Sequence, residues 1–323
     1  MRDPTRSGQR DLAASGLGAG LGGALRPARA PGDVQLVPTR PLRLRFWGVR
    51  GTLPVPGYRS LEYGGNTSCV GLDLPDGELF VFDAGSGIRE LSAELGRRAP
   101  RRGRIFISHP HWDHISAIPF FAPLYRADGD FEILGPPQGS RSMRDLVAAQ
   151  MDGVYFPITI REFGPGIRFR DLDEGSLQIG GAEVATMRLA HPGCCLGYRV
   201  RCEGRTVCYV TDNELFPRSS ARHSAEYERR LADFVRGADA LITDTTYSDE
   251  EYAGKEGWGH SGVSRVAELA HRAEVRTLYL FHHDPDQTDE DIERKHATCR
   301  SRLDEWESAT ECLAPKERDE VLL

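Results

Sequence analysis

The sequence predicts the α/β (α+β) class, with two β-sheets and helices packed outside them. Three observations lead there. Leu42 to Phe46 alternates apolar and charged residues, and two further strand-like runs flank Pro75-Asp76-Gly77, a hairpin signal. Further along, strand-like runs alternate with helix-like ones, which calls for sheets with covered faces. At 323 residues and 39% hydrophobic, the chain can hold one large domain or two modest ones.

Strands are expected at 42–46, 67–74 and 79–82. Asp83-Ala84-Gly85-Ser86-Gly87 then turns the chain into a helix at 88–95. A strand at 105–108 follows, and a helix begins near His114. Strands at 131–134, 183–188, 197–201 and 206–211 come next. Helices at 225–236 and 262–273, a strand at 277–281 and a charged helix at 289–307 complete the order. Residues 136–165 are less regular, with a helix at 143–151, and read as an insertion near a site mouth. It is either a lid or an ordinary surface excursion with Tyr155 or Phe156 as a small core.

Residues 1–40 form a separate tail, rich in Arg, Gly, Ala and Pro, and predict disorder ahead of a domain at 41–323. Ser15 to Gly23 contains a glycine pattern like a dinucleotide fingerprint, but no strand precedes it to aim a turn at a pyrophosphate. Asp11 and the many glycines spoil the apolar centre a signal peptide needs. No stretch approaches the roughly 20 apolar residues that span a bilayer. Seven cysteines without a CxxC pair fit a reducing cytosol, most of them as small packing residues. Cys194-Cys195, close to His191, admits either packing or a metal role.

The first 50 residues carry nine Arg and three acids, +6, which leaves −13 of the net −7 on residues 51–323. An acidic body argues against a long nucleic-acid track. It leaves room for bound divalent cations and for a small nucleotide held by them.

Chemistry concentrates in His109-Pro110-His111-Trp112-Asp113-His114, directly after the strand. Imidazole suits zinc and related ions, and carboxylate suits harder ones. His109 and His111, two apart, leave an extended segment on one side, whereas Asp113 and His114 diverge. One ion can hardly collect all four, but two can. Other strand ends offer more ligands: His191 and His282 each precede a turn, and Asp212 follows the 206–211 strand.

In these motifs the chain resembles the metallo-β-lactamase-fold hydrolases. His109, His111, Asp113 and His114 match the HxHxDH motif, and His191, Asp212 and His282 match the later ligand motifs in order. The resemblance runs from about residue 42 to 291. It implies a four-layer αββα sandwich with two divalent ions at one edge, zinc or alternatively manganese. One ion would be held by His109, His111 and His191, the other by Asp113, His114 and His282, with Asp212 bridging. Asp244-Thr245-Thr246-Tyr247 and Gly259-His260-Ser261 look like the phosphodiesterase branch, which includes ribonuclease Z and cyclic-nucleotide phosphodiesterases. There Asp244 and His260 would sit beside the scissile phosphate, with Asp where ribonuclease Z has Glu. His260 as a helix cap is the structural alternative. Residues 46–51 and 63–68 resemble the front end of the branch and would shape the cleft floor.

Two ions roughly 3.5–4 Å apart acidify a bridging water and neutralise a phosphodiester's charge. Asp113 would hold or accept the proton of that water, and His260, oriented by Asp244, would bind phosphate or protonate the leaving oxygen. The tRNA-binding arm of ribonuclease Z lies between the third and fourth motifs. Here His191 and Asp212 are only 21 positions apart, which leaves no room for it. The expected function is therefore a phosphodiesterase acting on a small or cyclic nucleotide, cytoplasmic, without a membrane and with a homodimer admissible. The rivals are a thioester or lactone hydrolase, a single-strand nuclease and a non-catalytic nucleotide sensor. His223, His271 and His296 are expected at the surface, and His283 and Asp284 either behind His282 or in a turn.

Overall fold

In the computed structural model, which describes residues 41–96 and 102–323, the first half runs β1 (Arg43–Gly48), β2 (Cys69–Asp73), β3 (Leu79–Phe82), α1 (Ile88–Leu95), β4 (Arg102–Phe106), α2 (Trp112–Ile115), β5 (Asp130–Gly135), α3 (Met143–Gln150) and β6 (Gly166–Asp171). The second half opens with β7 (Gly175–Ile179), β8 (Ala182–Arg188), β9 (Leu196–Cys202), β10 (Arg205–Val210) and α4 (Ala225–Val235). It continues through β11 (Ala240–Asp244), α5 (Asp249–Tyr252), α6 (Val263–Arg272), β12 (Thr277–Phe281), α7 (Asp289–Glu305), β13 (Glu311–Leu313) and β14 (Glu320–Leu322). The disordered tail expected at 1–40 lies outside the described residues.

Among the described residues the strands form two seven-stranded sheets. One is ordered β14-β1-β2-β3-β4-β5-β6, the other β13-β12-β11-β10-β9-β8-β7. The hairpin signal at 75–77 joins β2 and β3 antiparallel, with Gly77 at φ 84°, a conformation L side chains rarely adopt. β3, β4, β5 and β6 then run parallel, as do β10, β11, β12 and β13. Strands covered on both faces need apolar side chains on both, which is why LFVF and TLYLF read as unbroken apolar runs.

Three apolar layers result. Phe46, Phe80, Phe82 and Phe106 of the first sheet meet Tyr198, Tyr209, Tyr279 and Phe281 of the second. α4, α6 and α7 cover the outer face of the second sheet, and α1 and α3 that of the first. The expected αββα order follows from these layers.

Several elements depart from expectation. β4 spans 102–106 rather than 105–108; Ile107 N–H still donates to the Leu134 carbonyl of β5 at 2.7 Å, and the chain then turns away to carry the first imidazole. The helix near His114 is a single turn, Trp112–Ile115, soon followed by a 3-10 turn that contains Pro119. β6 and β7 were not anticipated, since they lie at or near the sheet edges with few apolar residues, nor was β11, whose apolar run is too short to show a period.

Histidines expected at the surface are half-buried caps and contacts. His223 meets Glu228 at 3.1 Å, His296 faces the Cys312 carbonyl at 2.8 Å, and His271 packs 5.5 Å from the Trp306 ring. Within 136–165, Met143 and Val147 are buried under the first sheet, whereas Tyr155 stands 81% exposed and Phe156 meets Phe120 edge-on.

Phe82 lies at the centre of the inter-sheet core, 5.6 Å from Phe106 and 5.3 Å from Tyr209 in stacked geometry. Phe82→Ala is expected to cost about 3–5 kcal/mol, read as a lowered midpoint in chemical denaturation. A cost under about 1 kcal/mol would contradict this packing.

Candidate metal centre

Parallel strands deliver their C-terminal ends to one edge, and open α/β sheets bind ligands there. The chain uses that edge repeatedly. Asp83 follows β3, His109 follows β4, Asp212 follows β10, Asp244 closes β11 and His282 follows β12. His191 comes from the loop after β8, which runs antiparallel to β9. Asp83, Asp212 and His282 each adopt a left-handed backbone, at φ 58°, 47° and 61°. A non-glycine residue rarely pays that steric cost, and here Asp212 and His282 line the cleft while Asp83 is buried behind His114.

Two groups of donor atoms result, each with all members within 4.8 Å of one another. They are His109, His111, His191 and Asp212, and then Asp113, His114, Asp212 and His282. A third group joins Asp244, His260 and His282. Asp212 is common to the first two and contacts both. Its Oδ2 lies 3.6 Å from His109 Nε2, and its Oδ1 lies 3.2 Å from both His114 Nε2 and His282 Nε2.

The seven residues suit a pair of divalent ions. Nε2 of His109 and of His114 is buried and has no hydrogen-bond partner. A buried nitrogen without a partner is costly unless it ligates something. Burial, reinforced by His114, pushes the His109 imidazole well below its usual pKa and favours the neutral ring that ligation needs. Burial alone would raise the Asp113 and Asp212 carboxyls, but the facing imidazoles, His114 first, hold both well below the ordinary range. Cys195, although buried 3.7 Å from His109 Nδ1, belongs to neither donor group and is a packing residue.

Four of the five imidazoles are fixed through their other nitrogen, as ligating histidines require. His114 Nδ1 lies 2.7 Å from Asp83 Oδ2, and His109 Nδ1 3.1 Å from Ser108 Oγ. His282 Nδ1 meets Thr246 Oγ1 at 3.0 Å, and His191 Nδ1 meets the Gly259 carbonyl at 3.1 Å. Thr52 N–H donates to Asp113 Oδ2 at 2.7 Å. Gly51 packs so closely that a Cβ there would strike the His282 ring, which gives the 46–51 segment its place in the floor.

Asp83 and Thr52 were not singled out in the sequence, and Thr246 was read only as part of the Asp244–Tyr247 motif. Asp83 had the same signal as the others, an acid at a strand end, but read as part of a glycine turn. His283 is fully buried against Lys295 Nζ at 3.0 Å, behind His282.

His260 is beside these groups. Its Nδ1 is 2.6 Å from Asp244 Oδ2 and 3.9 Å from Asp212 Oδ2. The cap of α6 is Gly262, so His260 is free of that role. Burial would lower the imidazole, but Asp244 outweighs it and raises the ring to about 9. Thr52, Pro110, His111, Trp112, Asp113, Asp212, His260 and His282 line a cleft of about 390 Å³. Trp112 stands 78% exposed on its rim.

The model of the beta-lactamase superfamily domain matches residues 79–283. A ribonuclease Z of Thermoplasma acidophilum is 22% identical over 291 residues, which covers 78% of this chain and 89% of that protein. One of Brevibacillus brevis is 26% identical over 263 residues, 70% and 82% of the two chains. Among solved structures, the short form of human tRNase Z superposes with a TM-score of 0.59 at 21% identity, over 86% of this chain and 98% of that one. Unliganded yeast PDE1 gives 0.63 at 14% identity, over 88% and 99%. These structural likenesses concern the fold.

Titration of the metal-free protein with zinc is expected to saturate at two ions per chain. Each bound ion raises stability by about 2.7 kcal/mol at a hundredfold excess over its Kd. Asp212→Ala, which removes the donor common to both groups, is expected to weaken both ions in equilibrium dialysis. Unchanged stoichiometry and affinity would exclude Asp212 as a bridge.

Proposed function

Since the chain belongs to the family of the beta-lactamase superfamily domain, and is a metal-dependent hydrolase of the metallo-β-lactamase fold, we propose that it cleaves the phosphodiester bond of a small or cyclic nucleotide. The observation that carries this reading is the Asp244–His260 pair, 2.6 Å apart on the wall of the cleft. An attack on an acyl carbon has less use for a second, acid-oriented imidazole outside the ligand set.

Two divalent ions, zinc or manganese, would be held by His109, His111 and His191 and by Asp113, His114 and His282, with Asp212 between them. They would supply Lewis acidity to a water nucleophile and positive charge opposite the phosphoryl oxygens. Asp113 would hold the attacking water or accept its proton while it ligates. Asp244 occupies Nδ1 of His260 and leaves Nε2 to donate. The Asp244 carboxylate favours the protonated ring, which is placed to bind a phosphoryl oxygen or to protonate the departing one.

Size and charge favour a small substrate. The cleft volume of about 390 Å³ falls in the range of small-molecule sites. β9, β10 and their turn fill the interval from His191 to Asp212, so no RNA-gripping arm emerges there. Trp112, fixed between His111 and Asp113, offers a ring on which a nucleobase can stack. The ribonuclease Z relatives favour RNA as a second reading, which steep salt dependence of binding would reveal.

Bis-p-nitrophenyl phosphate and a panel of cyclic nucleotides, assayed with zinc or manganese, test the reading, beside thioester and lactone substrates. Cleavage of at least one phosphodiester is expected, and His260→Ala is expected to lower its kcat by roughly 10²–10⁴ with bound metal unchanged. Failure on every phosphodiester would refute the proposal. Trp112→Ala is expected to raise KM for a nucleotide substrate about tenfold, while Trp112→Phe stays near wild type. Equal KM values in all three would remove the stacking role.

A further inference from the structure

Glu214 lies two residues beyond Asp212 and is 1% exposed. Its carboxylate accepts from three neutral donors. Oε1 takes the Tyr252 hydroxyl and Gly257 N–H, each at 2.7 Å, and Oε2 takes Gly259 N–H at 2.8 Å. A buried carboxylate is costly to hold, and such a cost is met where the geometry it fixes is needed.

What it fixes is the loop that reaches both halves of the site. Gly259 receives the Glu214 bond on its nitrogen and gives its carbonyl to His191 Nδ1 at 3.1 Å. The next residue is His260. On the other side, Glu214 N–H donates to the Ala190 carbonyl at 2.9 Å, directly before His191. The loop has little stiffness of its own. Gly254, Gly257 and Gly259 fall within six residues, the last two at φ 88° and 90°, and a Cβ on Gly259 would strike the His191 ring. Glycine permits this path but does not enforce it. Glu214 anchors Gly257 and Gly259 from outside the loop, while Asp244 holds His260 and Ser261 after it.

We propose that Glu214 is a positioning residue that sets His191 towards its ion and His260 towards the phosphodiester through one residue, Gly259. The inference rests on the metal and phosphodiesterase reading above. Its test is Glu214→Gln. Whichever way the amide lies, its NH₂ faces a backbone N–H, of Gly257 or of Gly259.

The variant is expected to fold, to bind one of its two zinc ions roughly tenfold more weakly in competition with a chromophoric chelator, and to lose kcat more than KM. Tyr252→Phe, which keeps both backbone bonds, is expected to match wild type in zinc affinity. Glu214→Asp keeps the charge but shortens the reach, and serves the same comparison where the amide variant fails to fold. A merely structural role would lower the melting temperature and leave zinc affinity and kcat as in wild type, and that result overturns the proposal. Wild type that binds no zinc would overturn the metal reading and this one together. Wild type that binds two ions and is matched by the variants would overturn this one alone.

Discussion

Four donors converge on the buried carboxylate of Asp83, and they come from both sheets. Ser108 N–H and its hydroxyl donate at 2.7 and 2.9 Å, Tyr209 OH at 2.7 Å, and His114 Nδ1 lies 2.7 Å away. Tyr209 belongs to β10 and the others to the segment after β4, so this one acid fastens the sheets at the edge where the ligands gather. It also fixes which nitrogen of His114 faces the cleft. A buried charge so heavily bonded is stable where an isolated one is not, and removal of any partner leaves a polar group without water.

From that edge the rest follows in layers. The aromatic core between the sheets keeps the strand ends at fixed spacing, and the helices leave this edge open. Asp113 and Asp212 can remain ionised among imidazoles because each charge has opposite charge or ligand capacity within about 3–4 Å. The arrangement is balanced for cations, and the chemistry assigned to it uses the same balance for an anionic substrate.

How far the sequence disclosed this depends on the kind of signal. His109, His111, Asp113 and His114 lay in one run, and His191, Asp212 and His282 each stood where a strand met a turn, so spacing alone exposed them. Two sheets with helices outside were legible from the apolar pattern, the αββα order came from the family resemblance, and 277–281 was delimited to the residue. β11, β6 and β7 were not, because a short apolar run or an edge strand carries no period. Asp83 and Glu214 escaped for a different reason. Their importance lies in what they bond across 25 to 126 and 43 to 45 positions of chain, and neither flanking residues nor composition records such contacts. His223, His271 and His296 show the converse, since polar character in a helix says little about whether a cap or neighbour half-covers it.

The left-handed backbone at Asp83, Asp212 and His282 bears on how such a site can change over generations. Glycine at any of the three relaxes the main chain and deletes the functional group, while another L-residue retains the strain and loses the chemistry. These positions are therefore closed to gradual drift. Novelty in substrate preference has to enter by the rim, at a residue such as Trp112, which is exposed and whose main chain carries no such obligation. The catalytic apparatus can be inherited intact while its clientele is rewritten around it.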